Sequence, residues 1–201
     1  MHEGLKDFLA RPRGTLHEAL GGTGNGLLYF IIDQSRQPNA LTRLYGLGEE
    51  LTPALLLDDS EYKVLAASGP IWFGAPHGSA LAQLGAQLCQ ERHAGIMLQA
   101  GDGTQALAHA RWLMKVNDGS GGQSLATYYL PSFWVALAMT VSDEARSHLM
   151  GPWRSVYSPA PGYLESSSEL WSSWQHERLE GDPPVPEQAY FSLPERSMST
   201  Y

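Results

Sequence analysis

The stretch GGTGNGLLYFIIDQSRQPNAL, residues 21–41, carries the strongest fold signal in the chain. Its centre, LLYFIID, is a continuous apolar run ending in Asp33, which is typical of a strand buried on both faces. The glycines precede this strand, whereas the glycines of a phosphate-binding loop follow a strand and open a helix. We therefore interpret residues 21–41 as a loop, a core strand and a structured turn.

Strand and helix patterns alternate along the chain after this first strand. Apolar runs predict further strands at 54–59, 70–75, 95–100 and 123–130. Helical patterns cover 38–46, 79–93, the region after the turn at 101, and 131–150. This order predicts an α/β fold, with a mixed β-sheet layered with helices, in a single domain with a C-terminal tail.

Composition divides the chain into three parts. Residues 1–26 are predicted to be an N-terminal helical segment, and residues 27–157 an α/β domain. Residues 158–201 hold six of the 13 prolines and seven acids against two bases, a difference of −5 in a chain of net charge −8. We expect an acidic, proline-rich tail with one short helix around 166–180, on which Trp171 and Trp174 would share a face.

The bulk composition excludes several classes of protein. The 201 residues have a net charge of −8 and contain no run of Lys or Arg, so a nucleic-acid partner is not expected. The single cysteine excludes an intrachain disulfide. No segment resembles a secretory signal or a 20-residue membrane span. These features predict a cytoplasmic protein without membrane insertion.

Few residues suggest catalysis. Asp33 ends a buried strand, where ligand-binding groups often gather, but it can equally cap the following turn or pair with Arg36. Cys89 and His93 are four residues apart on a helix, yet Cys89 lies on its apolar face. We expect no catalytic residues, no metal site and no cofactor. The alternative is a small α/β enzyme that uses Asp33 with a histidine such as His77 or His109.

Aromatic residues are concentrated in TYYLPSFWVAL, residues 127–137. If this segment begins as a strand, alternation sends Tyr128 and Tyr129 to opposite faces and leaves one at the surface. Tyr and Trp are enriched in interface hot spots, so these tyrosines are candidates for partner binding. The alternative is an aromatic core. Trp171 and Trp174 could likewise dock on their own domain or on a partner.

Several segments, taken together and in order, resemble the adaptor-chaperone domains that serve bacterial type VI secretion. They are LLYFIIDQSRQPNALTRLY, LTPALLLDD, GIMLQAGDGTQALAHARWLMKVNDGSGGQSLATYYLPSFWVAL and LMGPW, and the resemblance extends over about residues 27–157. Asp33 and Arg36 match the family pattern of a strand ending in Asp with an Arg soon after. Thr127 and Leu130 depart from it, since the family tends to have Arg and Asp at those two places.

The resemblance implies a protein without enzymatic activity. Its expected partners are a secreted toxic effector and the secretion spike protein. The candidate partner-binding residues are Asp33, Arg36, Tyr128, Tyr129, Trp171 and Trp174. Besides the enzyme already mentioned, a second alternative is a regulatory or immunity protein of the same secretion system.

Overall fold

The computed structural model describes residues 13–15, 20, 26–117, 122–140, 148–160 and 170–175. The strands are β1 Arg13–Thr15, β2 Leu27–Asp33, β3 Ala54–Leu55, β4 Pro70–Pro76, β5 Gly95–Ala100, β6 Lys115–Asn117, β7 Gln123–Leu125, β8 Trp153–Pro159 and β9 Leu170–Gln175. The α-helices are α1 Ala40–Tyr45, α2 Ala80–Gln90, α3 Gly103–Leu113 and α4 Pro131–Thr140, with 3-10 helices at Lys63–Ser68 and Glu91–His93. No helix in these ranges is both long and apolar enough to cross a membrane.

Within the described residues, seven strands form one sheet in the order β1-β9-β8-β5-β2-β4-β3, and β6 pairs with β7 separately. The predicted class, a β-sheet layered with helices, is confirmed. The strand directions differ from the mixed sheet that was expected, because each described pair is antiparallel. The strands β4 and β5, which are connected through α2, pair with opposite edges of β2. They run in the same direction as each other, but β2 lies between them, so they do not form a parallel pair.

Helices cover both faces of the sheet. Alternate residues of β2, Leu28, Phe30 and Ile32, pack in one apolar cluster with residues of α1 and α2. Tyr29 and Ile31 point the other way and pack in a second cluster with residues of α3 and α4. Because both faces are buried, β2 needs apolar residues at successive positions, which explains the uninterrupted apolar run in its sequence.

The predicted helix around 166–180 is wrong where the structure describes it, since residues 170–175 form the strand β9. Trp171 pairs with Pro159 of β8 and Trp174 with Val156. Successive strand residues alternate in direction, so these tryptophans lie on opposite faces rather than sharing one. Each is 1% exposed, which confirms that they dock on their own domain.

Three further predictions are corrected. Arg13–Thr15, expected to be helical, form β1 and pair with β9, while residues 1–12 lie outside the described residues. The strand expected at 54–59 is limited to Ala54–Leu55, because the chain turns directly after Leu55. The strand expected at 123–130 ends at Leu125, and Tyr128 and Tyr129 occupy a turn before α4. Residues 161–169 and 176–201 of the expected proline-rich tail lie outside the described residues.

Candidate functional site

The turn after β2 is organised by Asp33. Its Oδ1 accepts a hydrogen bond from the Ser35 amide at 2.9 Å, and its backbone carbonyl accepts one from the Gln37 amide at 2.9 Å. Arg36 Nε lies 3.8 Å from Asp33 Oδ2. The Asp33 side chain is 9% exposed and that of Arg36 is 40% exposed. The prediction that these two residues order the turn through pairing and backbone bonds is confirmed.

A second loop, at the end of α2, is hydrogen-bonded to this turn. Arg36 Nη1 donates to the carbonyls of Arg92 at 3.3 Å and His93 at 3.0 Å. In return, Arg92 Nη1 donates to the carbonyl of Arg36 at 3.2 Å. Each arginine therefore holds the backbone of the other. We call the two guanidinium groups of Arg36 and Arg92 the Arg36–Arg92 surface.

The backbone of the second loop adopts an unfavourable conformation. Arg92 has φ 58° and His93 has φ 50°, so two consecutive non-glycine residues occupy the left-handed region. Such residues cost of order 1–3 kcal/mol each and persist only where surrounding contacts enforce them. The bonds from Arg36 to both carbonyls supply such contacts. Burial, followed by the positive charge of Arg36, lowers the pKa of His93.

Glu91 ties the second loop to α1. Arg43 donates to it through two nitrogens, Nη1 to Oε2 at 2.6 Å and Nη2 to Oε1 at 3.2 Å. Gln37 and Gln87 donate to the same carboxylate at 3.3 and 2.8 Å. The hydrogen bond from Arg43 is the main cause of the lowered pKa of Glu91. The charge of Glu91 is thus compensated without Arg92.

The two candidate tyrosines are buried, at 1% for Tyr128 and 7% for Tyr129. Strand alternation does not leave one of them exposed, because both lie in a turn, and the interpretation as an aromatic core is correct. Tyr128 donates its hydroxyl to the carbonyl of Ala110 at 2.7 Å. Burial raises the pKa of Tyr129 to about 12, with a further contribution from the charge of Asp33. The charges of both Asp33 and Arg36 affect this pKa, so Tyr129 lies near the Asp33–Arg36 turn.

The histidines and the cysteine considered for catalysis are held in other ways. His77 Nδ1 lies 3.4 Å from the carbonyl of Leu20. His109 Nε2 lies 2.7 Å from the carbonyl of Leu149, and its ring stacks on that of Trp112. Cys89 is fully buried, and burial raises the pKa of its thiol. Among the described residues, no group of three or more His, Cys, Asp or Glu side chains could hold a metal ion.

The structure thus brings together three of the six candidate residues, Asp33, Arg36 and Tyr129. Tyr128 packs beside Tyr129 with ring centroids 5.7 Å apart, while Trp171 and Trp174 lie in the two cores. Sequence reasoning missed Arg92. The only sequence feature that pointed to Arg92 was the Glu-Arg-His run at the end of a helix. Its proximity to Arg36 could not be predicted, because the two residues are 56 positions apart in the sequence.

The two positions that depart from the type VI adaptor pattern delimit the turn before α4. The Leu130 amide donates to the carbonyl of Thr127 at 3.0 Å. Thr127 is exposed, whereas Leu130 is 8% exposed and belongs to the core that contains Tyr129. Leu130 therefore contributes to packing, and Thr127 is available to solvent.

Comparison with known proteins gives one match. The family model described as a domain of unknown function (DUF4123) matches residues 28–148, more than half of the chain. This range includes all of β2 except Leu27, the Asp33 turn, the loop at the end of α2 and the two tyrosines. No curated protein and no solved structure matches the chain significantly.

Proposed function

Since the chain belongs to the DUF4123 family, we propose that it is a bacterial cytoplasmic adaptor-chaperone that binds a toxic effector of type VI secretion. In this role it helps to load the effector on the spike protein. The observation that carries the proposal is that the family match, residues 28–148, contains almost all of three of the four segments that resemble type VI adaptor-chaperone domains.

The geometry around Asp33 is unfavourable for general-base catalysis. A general base needs a carboxylate oxygen available to a substrate proton. Here Oδ1 accepts from the Ser35 amide, Oδ2 faces Arg36, and the side chain is 9% exposed. These contacts fit a carboxylate that shapes a surface turn, which supports the adaptor over the alternative enzyme using Asp33 and a histidine.

Affinity capture from the native host tests the proposal. The tagged protein, purified after mild cross-linking, is expected to co-purify with a secreted toxin and with the spike protein, both identified by mass spectrometry. An unrelated tagged cytoplasmic protein provides the control. Absence of both partners from a host with active secretion would contradict the proposal.

Deletion of the gene separates the adaptor from an immunity protein. Loss of an adaptor lowers secretion of one effector while the mutant survives contact with its wild-type siblings. Loss of an immunity protein leaves secretion intact and makes the mutant sensitive to siblings. We expect the first result, measured as effector in the culture supernatant and as survival in mixed culture.

A further inference from the structure

We propose that the Arg36–Arg92 surface binds carboxylates of an acidic segment on the effector. The identity of the partner as an effector rests on the proposed function, whereas the chemistry that it must present follows from the surface itself. Arginine recognises carboxylates through a planar fork of N–H donors, which gives both strength and orientation.

Both guanidinium groups keep donors available. Arg36 uses Nη1 for two backbone carbonyls, and its Nε faces Asp33. Arg92 uses Nη1 for the carbonyl of Arg36. Among the described residues, the Nη2 groups of both arginines and Nε of Arg92 have no hydrogen-bond acceptor. A carboxylate could occupy these donors without breaking any of the bonds that hold the loops together.

The local charge is unbalanced. Within the described residues, Asp33 is the one carboxylate within 4.0 Å of either guanidinium group, and it lies beside Arg36. Glu91, although adjacent to Arg92 in sequence, is engaged by Arg43. Two positive charges therefore face one largely buried negative charge. The exposed Arg92 side chain offers an uncompensated positive charge on a chain that is acidic as a whole.

The arginines are also held in place before any partner arrives. Reciprocal backbone bonds restrain both side chains, and the left-handed conformation of Arg92 and His93 is kept by those same bonds. Restraining a side chain in its bound position reduces the entropy lost on binding. Backbone strain of this kind is concentrated at binding and catalytic sites.

The charge of the chain favours a peptide over a nucleic acid. A net charge of −8 repels a long polyanion, while two guanidinium groups suit one or two carboxylates.

A binding assay on the purified full chain tests the surface without knowledge of the effector. The probe is a fluorescein-labelled glutamate peptide with two adjacent glutamates between glycines, compared with the same peptide carrying two lysines and with a three-nucleotide oligothymidine, whose two phosphates match its charge. We expect saturable binding of the glutamate peptide that weakens at least tenfold in Arg92→Glu. The matched control, Arg154→Glu, changes an exposed arginine at the other end of the sheet and should alter binding less than twofold.

Two further measurements guard against misfolding of the variant. Arg92→Lys keeps the positive charge but loses the planar fork of N–H donors. Its affinity for the glutamate peptide should lie between those of the wild type and Arg92→Glu. In the wild type, nuclear magnetic resonance should show the Nε–Hε signals of Arg36 and Arg92 shifting together as glutamate peptide is added. Tighter binding of oligothymidine, or equal loss in Arg92→Glu and Arg154→Glu, would overturn the inference.

Capture from the host then separates the two proposals. If the wild type and Arg154→Glu retain the effector and Arg92→Glu loses it, both proposals are supported. Equal retention by Arg92→Glu overturns the role of the surface and leaves the adaptor function standing. If the wild type binds the glutamate peptide through these arginines but captures no secretion protein, the adaptor function fails and the surface chemistry stands.

Discussion

Trp171 and Trp174 lie three residues apart on β9 and are buried on opposite faces of the sheet. Trp171 packs in the cluster that includes Phe30 and residues of α1 and α2. Trp174 packs in the other cluster, with its ring centroid 5.5 Å from that of Trp134. The short strand β9, near the sheet edge, therefore contributes one tryptophan to each of the two apolar clusters.

Each tryptophan should contribute separately to stability. Because large core side chains truncated to alanine cost about 3–5 kcal/mol, Trp171→Ala and Trp174→Ala should each lower the free energy of unfolding by about that amount. The two losses should nearly add, since the rings share no cluster. Urea denaturation measures this. Tyr45→Ala, which removes a 55% exposed ring, is the control, and a tryptophan variant as stable as that control would contradict the assignment.

Truncation should distinguish β9 from the sequence that follows it. Removing residues 182–201 keeps each described strand pair, because β9 ends at Gln175. We expect the melting temperature to stay within a few degrees of that of the full chain. Ending the chain at residue 169 removes β9 and uncovers β8, so this version should melt far lower or fail to fold. If removal of residues 182–201 strongly lowered the melting temperature, these residues would support the fold and the prediction would be wrong.

Asp33→Ala should destabilise the turn after β2. It removes the acceptor of the Ser35 amide and the partner of Arg36, and we expect a loss of about 1–3 kcal/mol in the free energy of unfolding. Asp33→Asn keeps an oxygen for the Ser35 amide and should lose less. Chemical denaturation of the two variants provides the measurement. Unchanged stability of Asp33→Ala would refute the role assigned to this carboxylate.

Stability should decrease in mild acid. Burial lowers the pKa of His109 in the folded protein, while the unfolded chain takes up a proton near the ordinary pKa of about 6.5. The unfolded state therefore binds more protons as the pH falls below that value, and the free energy of unfolding decreases. His109→Gln should show a shallower decrease between pH 7 and pH 5. Equal slopes for wild type and variant would exclude this histidine as a cause.

Local patterns were sufficient where one segment determines its own structure. The apolar run at residues 27–33 predicted β2, and the periodic pattern at 79–93 predicted α2, which spans Ala80–Gln90. Asp33 and Arg36, three residues apart, could be assigned to one turn because the contact is local. Predictions failed for residues 126–130 and for residues 170–175, the described part of the helix expected at 166–180, because aromatic residues suit a strand, a turn or a helix equally well.

By itself, the sequence determined that this chain has a central strand buried on both faces, helices layered on its sheet and an ordered turn after Asp33. These features follow from apolar periodicity and from hydrogen bonds between near neighbours. The tertiary structure alone decided that β9 completes the sheet, that both tyrosines are buried, and that Arg92 meets Arg36. Pairing β9 with β8 and bringing together two loops 56 residues apart depend on non-local contacts. The free energy of such contacts exists only after the chain has folded, so no short stretch of residues encodes it.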